Sequence, residues 1–421
     1  MKLNFYLNQA ENLGHLIEMI SVQEAIKIIT NRATKLEDEK VRINKCLGRI
    51  SSKNVFATIN SPPQDVSSMD GYALNSVSLR KISSNPIKII GESAAGRPFT
   101  EKIKKNECIE IYTGAEIPKG ADIILLQERV KLKNNYIIAT NQNIKKYQYI
   151  RKKGSNFKKN TLLLKKYNLI TSRSLGLIIS SNQTHIQVFK KLKIGILASG
   201  NELKKVGSKL NNGIISSNSL LLETMIQSFG AEPYDLGIAK DTKSSIAKKL
   251  KNIHKYNVLI TTGGASVGKH DLIKDVLNDL GMKLVFWKVA MRPGKPLIFG
   301  VLKNTLILGF PGNPVSSYVS SLIFLKPLIN SYYKINIQTP IKKGFTEKSL
   351  IPNDERQEYL RAEVYLKNNK YYLTPVSKQD SSMTSSLSKA NALIIREPLA
   401  KSVKKGSKVN FIQFSDIHTN I

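Results

Sequence analysis

The sequence predicts an α/β multidomain protein, and three observations carry that expectation. From Leu192 the chain alternates apolar strand-like runs with helical stretches, the pattern of βαβ units and a parallel-rich sheet. Residues 51–145 instead carry short runs of period two, broken by Gly and Pro, the texture of a small β-rich domain. The length of 421 residues, at roughly 100–200 residues per domain, fits two to four domains.

The elements follow in order. Ser21 suits the N-cap of a helix running to Thr30, with Ala25, Ile26, Ile28 and Ile29 as its apolar face. Pro86-Ile-Lys-Ile-Ile90 alternates as a strand, and residues 146–190 return to mixed character. KIGILAS, ending at Ser199, is an apolar strand that enters the turn Gly200-Asn-Glu202. Ser217-Asn218 can cap a helix carrying Leu220, Leu221, Leu222, Met225 and Ile226, closed by Gly230. Asp235–Ala239 and Val258–Thr261 read as strands, Thr242–Lys255 and Asp271–Leu280 as helices. A helix over Val315–Ile329 follows the turn Phe310-Pro-Gly-Asn-Pro314. After Thr339, Tyr359–Tyr365 and Tyr371–Thr374 are strands of a C-terminal β domain. The divisions fall at 1–50, 51–145, 146–190, 191–335 and 336–421.

Composition narrows the function. Hydrophobic residues make up 41%, enough for packed cores. The amino-terminal stretch lacks the apolar centre of a signal peptide, and no run approaches the ~18 apolar residues of a membrane span. Cys46 and Cys108 form no metal-type pair and read as small buried apolar groups in a reduced cytoplasm. The net charge is +34. Lys, Asn and Ile are over-used everywhere, even at turn positions such as Lys131, Lys133, Asn134 and Asn135. The excess therefore reads as compositional drift together with an anionic ligand. No stretch pairs basic residues with regularly spaced aromatics, as a single-strand binding surface would, so neither nucleic acid nor membrane is an expected partner.

Ligands of parallel α/β sheets bind beyond the carboxyl ends of the strands. Three turns lie at such ends: Ser199–Leu203, Thr261–Gly268 and Gly309–Pro314, each rich in Gly, Ser or Thr. Small residues let backbone N–H groups face an anion, so this is a place for phosphate. Within it, GGASVGK from Gly263 looks like a P-loop, but His270 and Asp271 stand where the Mg²⁺-holding hydroxyl belongs. Glu202, Asp241 and Asp271 adjoin the turns. A carboxylate beside a phosphate calls for a divalent cation between them, although Asp271 also suits the first turn of a helix. Lys288, Arg292 and Lys295 crowd a Pro-Gly turn, a costly grouping unless an anion sits among them.

Taken together and in this order, SSMDGYAL, GESAAGRPF, IYTGAEIPKGADIILLQE, ILASGNEL, ITTGGASVGKHD, WKVAMRPGKP, LGFPGNPVSS and ANALI resemble the signature blocks of the molybdopterin molybdenumtransferase (MoeA) family. The resemblance implies four domains. Residues 1–50 with 146–190 would form an elongated linking domain and 51–145 a small β domain. Residues 191–335 would be the molybdopterin-binding α/β domain and 336–421 a C-terminal β-barrel. It implies a cytoplasmic homodimer that takes adenylated molybdopterin and molybdate, uses Mg²⁺, inserts molybdenum and releases AMP. The molybdopterin adenylyltransferase is an implied partner. TTGGASVGKHD would then be the intact pterin-phosphate loop, with Asp271 doing the cation-linked work.

Position by position, the resemblance marks Asp70, Thr113, Glu202, Asp241 and Asp271 as catalytic, with Asp241 and Asp271 holding the metal. It marks Gly263, Gly264, Ser266, Gly268, Lys288, Arg292, Lys295, Pro311, Pro314, Arg361 and Ser381 as substrate-binding. Two positions depart from the family pattern: Asn156 replaces a common acidic residue, and Asp380 a glycine. The alternatives are the preceding adenylylation of molybdopterin and a non-enzymatic scaffold of the same architecture.

Overall fold

Residues 19–79, 86–139, 145–210, 212–263, 272–335 and 339–418 are described by the structure, a computed structural model. The chain divides into two units. One comprises Lys40–Leu47 and Ser51–Val188, the other Met1–Glu39, Gly48–Ile50 and Phe189–Ile421.

In the first unit, six strands lie side by side in the order Ile123–Leu126, Gly71–Leu74, Glu107–Ile111, Ile87–Ser93, Tyr136–Ala139, Val130–Lys133. Ile87–Ser93 and Glu107–Ile111 run parallel and the other pairs antiparallel. Alternate residues serve opposite faces. Tyr72, Leu74, Cys108, Ile123 and Leu125 join one core, and Ala73, Ile109, Ile111 and Ile124 another. The period-two texture thus builds a sheet that is apolar on both sides.

A further part of this unit pairs Val55–Phe56 with Leu162–Leu164, and Val66–Ser67 with Ile150–Arg151. Thr171 and Ser174 form a reciprocal capping box that starts the helix Ser172–Ser180. Cys46, Val55, Ile170, Ile178, Ile186 and Val188 form its core. The two cysteines are buried in separate cores, and the Cys46 thiol donates to the Arg42 carbonyl at 3.1 Å. Burial pushes the Cys108 thiol up to about 12.

The second unit is built on the expected α/β sheet. Its order is Glu232–Ala239, Lys193–Ser199, Val258–Thr262, Thr305–Phe310, Pro296–Leu302, Lys283–Lys288. The first four strands are parallel, and the last two complete the sheet antiparallel. Lys193–Ser199 lies between two strands that both follow it in the chain, so the order reverses there. Such a switch point opens a crevice at the carboxyl ends of the strands.

The helices Lys243–Leu250 and Leu272–Asp279 cover a core that includes Leu197, Ile246, Leu259, Ile273, Leu277 and Ile307. Helix Asn218–Ser228 packs on Lys193–Ser199 and Glu232–Ala239. Ser21 caps the helix Val22–Thr30 by accepting the Glu24 N–H, and that helix packs against Lys326–Tyr332.

The helix expected over Val315–Ile329 is a longer run, Pro314–Ser320, Ser321–Leu325 and Lys326–Tyr332, whose middle segment is a π-helix. Pro327 supplies no N–H to the carbonyl four residues earlier, at Ile323, so the α ladder widens just before it.

After Thr339, five strands close on themselves: Gln357–Lys367, Lys370–Pro375, Lys342–Thr346, Lys408–Gln413, Ala392–Arg396, and back to Gln357–Lys367. Ala362, Val364, Leu373, Ala392, Ile394 and Phe411 fill this barrel.

Among the described residues no helix is long and apolar enough to cross a membrane. The separate burial of the thiols has a direct test. In the native protein, maleimide at neutral pH should leave Cys46 and Cys108 unlabelled for as long as guanidinium-unfolded chain takes to label both. Equal rates would mean that these cores are open.

Candidate functional site

At the switch point the strand ends are tied by side chains. Ser199, the last residue of its strand, donates from Oγ to Asp241 Oδ1 at 2.9 Å. Asp241 Oδ2 accepts the Asn201 backbone N–H at 3.0 Å, and the Asn201 amide oxygen accepts the Asp241 N–H at 3.1 Å. The turn after the first strand and the turn after Glu232–Ala239 are thereby locked together. Among the described residues each Asp241 oxygen has one donor, and a carboxylate oxygen accepts about two. Glu202 lies beside this lock, with its carboxylate folded back over Gly200.

Gly263 directly follows the next strand, Val258–Thr262, at φ +87°, and a Cβ there would stand 2.3 Å from the Ser199 carbonyl oxygen. A Cβ on Gly312, in the turn after Thr305–Phe310, would lie 3.6 Å from the Gly263 Cα. Backbone meets backbone across three strand ends, and only glycine fits at Gly263.

Asn218 clasps the same ends. It is 8% exposed. Its amide nitrogen donates to Thr262 Oγ1 at 2.8 Å and to the Gly312 carbonyl at 2.7 Å. Its Oδ1 is buried without a hydrogen-bond partner among the described residues. The expected cap is not made: Ser217 forms no side-chain capping bond, and Asn218 is the first helical residue. In the sequence, Ser199 and Asn201 fall in a candidate turn without a role for either, and Asn218 has only a capping role.

Pro311 and Pro314 flank this turn. The Pro311 carbonyl accepts Ser317 Oγ at 2.7 Å, and Pro314 opens the buried helix. Ser381 joins the barrel to the turn: its Oγ accepts from the Asn313 amide at 2.8 Å, and its carbonyl from the Val315 N–H at 3.1 Å. Gly264, Ser266, Gly268 and Asp271 lie outside the described residues.

Two of the expected basic residues have partners within the fold. Arg361, expected to bind substrate, is 2% exposed. Its guanidinium donates to the Asp380 carbonyl at 2.9 Å and to Gln379 Oε1 at 3.2 Å, so it holds the loop that carries Ser381. Burial lowers its pKa, yet a guanidinium stays charged. Arg292 is exposed and has two acidic neighbours. Asp354 lies 2.7 Å away and Glu358 3.6 Å away. Hydrogen bonds from Arg356 above all, helped by Arg292, hold the Asp354 carboxyl down to about 2. Lys288 reaches over the Trp287 ring, 4.5 Å from its centre, and Lys295 is exposed.

In the other unit, Thr113 donates to Asp70 Oδ1 from its N–H at 2.7 Å and from its hydroxyl at 2.8 Å. These two bonds lower the Asp70 pKa. Next to it, a Cβ on Gly71 would stand 1.9 Å from the Leu125 carbonyl oxygen, so glycine lets this strand start hard against its neighbour. The Asn156 amide donates to Ser61 Oγ at 3.3 Å. The Asp380 carboxylate turns back on its own loop, accepting from the Ser382 N–H and hydroxyl at 2.8 and 2.7 Å.

Among the described residues no three His, Cys, Asp or Glu side chains gather as a metal site. One exposed, partly engaged carboxylate does fit Mg²⁺ of the kind that keeps its waters and takes most other ligands from substrate phosphates.

Comparison with known proteins covers nearly the whole chain. Residues 20–181 match the MoeA N-terminal region (domain I and II), 195–331 the probable molybdopterin binding domain, and 344–414 the MoeA C-terminal region (domain IV). A Haemophilus influenzae protein named molybdopterin molybdenumtransferase is 31% identical over 408 residues, spanning 95% of this chain and 100% of that protein. A Bacillus subtilis protein of the same name is 29% identical, over 93% and 94% of the two chains. Among solved structures, a molybdopterin biosynthesis MoeA protein from Pyrococcus horikosii superposes with TM-score 0.82 at 26% identity, covering 94% of this chain and 99% of that one.

If Asn218 is the clasp, Asn218→Ala leaves the Gly312 carbonyl buried and unmet, and should cost about 1–3 kcal/mol in denaturant unfolding. An unchanged midpoint would show that the strand ends hold without it.

Proposed function

The chain belongs to the MoeA family, and we propose that it inserts molybdenum from molybdate into adenylated molybdopterin, releasing AMP. The observation that carries this reading is the locked carboxylate of Asp241 at three strand ends whose backbones approach without side chains. Such an end presents backbone N–H groups to an anion. The Gly-rich stretch from Gly263 through Gly264, Ser266 and Gly268 receives the phosphates. The turn holding Pro311 and Pro314 lines the pocket.

Ser199 and Asn201 keep the Asp241 carboxylate aimed before substrate arrives, so little reorganisation is left for the reaction. Asp241, with Asp271, would hold Mg²⁺, which supplies neutralisation of charge on the phosphoanhydride as AMP leaves. Glu202 sets the polarity of the same corner. Lys288 and Lys295 attract molybdate. Arg292, already satisfied by Asp354 and Glu358, fixes the turn between them. Ser381 braces the pocket turn, and Arg361 positions the loop behind it. An oxygen of molybdate, or water, attacks the adenylate phosphorus and breaks its P–O bond to the pterin phosphate. The two dithiolene sulfurs then displace two oxygens from molybdenum, with protons from the thiols and solvent. One oxygen leaves on AMP and one as water if molybdate attacked; both leave as water otherwise. Asp70 and Thr113 form the catalytic pair of the small β domain.

The reading extends, on the resemblance alone, to the four-domain division at the boundaries given above. It extends likewise to a cytoplasmic homodimer and to the adenylyltransferase as the donor of its substrate.

AMP release from adenylated molybdopterin should depend on molybdate and Mg²⁺ and should stop with a chelator. Asp241→Ala and Asp271→Ala should keep the fold and lose about 100-fold or more in turnover, the scale of removing one preorganised electrostatic group. Turnover near wild type from folded variants would remove both residues from the mechanism. Adenylation of free molybdopterin by ATP, with no AMP release, would move the chain to the preceding step.

A further inference from the structure

The barrel carries on its outer side a row of side chains that takes no part in the chemistry above. Lys408 lies opposite Phe345, Phe345 opposite Tyr372, and Tyr372 opposite Tyr365, so four strands place them in one line across the sheet. Two residues along each strand, the same face carries Lys343, Lys370 and Lys367, with Lys370 directly opposite Lys367. The row of rings therefore runs beside a row of ammonium groups.

The rings are close and ordered. Phe345 and Tyr372 have centroids 5.9 Å apart, while Tyr372 and Tyr365 are 5.7 Å apart and stacked at 20°. Lys370 and Lys408 each lie 5.9 Å from the Phe345 ring centre. Tyr365 is 44% exposed. The pairing of its strand with Ala392–Arg396 ends at Ala362, so no strand among the described residues continues the sheet beyond Tyr365. The carboxylates on this face are Glu347, which accepts the Tyr365 hydroxyl at 2.7 Å, and Glu363. Lys343, Lys367, Lys370 and Lys408 form no ion pair among the described residues.

Cross-strand aromatic pairs also stabilise a sheet. That role calls for neither an outermost ring left open nor a parallel row of cations. We propose that this face binds single-stranded nucleic acid, with bases stacking on Tyr365 and the neighbouring rings and phosphates following Lys343, Lys370 and Lys367. Every base has a flat face for a ring, and a flexible anionic backbone suits a lysine row, whereas a duplex keeps its bases stacked inside. An acidic polypeptide would satisfy the lysines and leave the rings idle. The sequence holds no local stretch of this kind, because the face is assembled from residues near 343, 370 and 408.

The test uses the full chain and a fluorescein-labelled oligothymidylate of about 12 nucleotides, within the usual span of such sites, read by anisotropy. Binding should saturate and weaken with salt. Tyr365→Ala should weaken it by about tenfold or more, the scale of losing one stacked base, whereas Tyr365→Phe, which keeps the ring, should retain it. Lys370→Glu with Lys408→Glu should abolish binding, whereas the exposed control pair Lys131→Glu with Lys133→Glu should not. Molybdate-dependent AMP release should be the same in all of these variants, so failure here leaves the transferase reading standing. Equal affinity for a duplex, or an equal loss in the control pair, would reduce the effect to bulk charge and overturn the proposal. Competition by polyglutamate or anionic vesicles, with Tyr365→Ala indifferent, would overturn it in favour of an acidic protein or a lipid surface.

Discussion

Everything at the candidate site depends on how closely bare backbone comes together at the carboxyl ends of three parallel strands. With φ at +87° and the Ser199 carbonyl where a Cβ would go, Gly263 admits no side chain. Gly312 comes in against it from the next turn. Backbone packed this tightly leaves its polar groups facing a crevice, and an anion there meets N–H groups rather than methyls. Asn218 and the Ser199–Asp241–Asn201 lock keep these ends from parting. The functional chemistry rests on hydrogen bonds between loops as much as on the sheet beneath them.

The same logic joins the barrel to this crevice. Ser381 is bonded through its hydroxyl to Asn313 and through its carbonyl to Val315, both at the pocket turn. The loop bearing Ser381 is pinned in turn by the buried guanidinium of Arg361. An Arg enclosed by backbone carbonyls and an amide oxygen has its donors met and costs the fold little. Asp380, which departs from the family pattern, caps Ser382 and leaves that support intact. Arg292 is exposed, with Asp354 and Glu358 on its guanidinium. Two cations that read in the sequence as awaiting a ligand, Arg361 and Arg292, thus have partners within the protein. The excess positive charge is therefore free mainly where lysines lie on open faces, as on the outer side of the barrel.

Much was legible from the sequence because it is local. Ser21 capping its helix, the KIGILAS strand, the period-two runs of the small sheet and the βαβ alternation all follow from spacing and residue type. The signature blocks, read in order, led to the family that the comparisons show. Even the π segment before Pro327 is explicable from one residue, since a missing N–H acts four positions back.

What the sequence could not decide is which side chains meet across strands distant in the chain. Asn218 reads locally as a cap, and only the return of the strands ending at Thr262 and Phe310 gives its amide two partners. Arg361 reads as a binding residue until the loop carrying Lys378, Gln379 and Asp380 folds onto its guanidinium. Phe345, Tyr372 and Tyr365 are ordinary in their own stretches, and become a stacked row only when register sets them opposite one another. Spacing along a chain specifies the elements and their faces. Burial and partnership are properties of surfaces brought together, and those exist only in the folded protein.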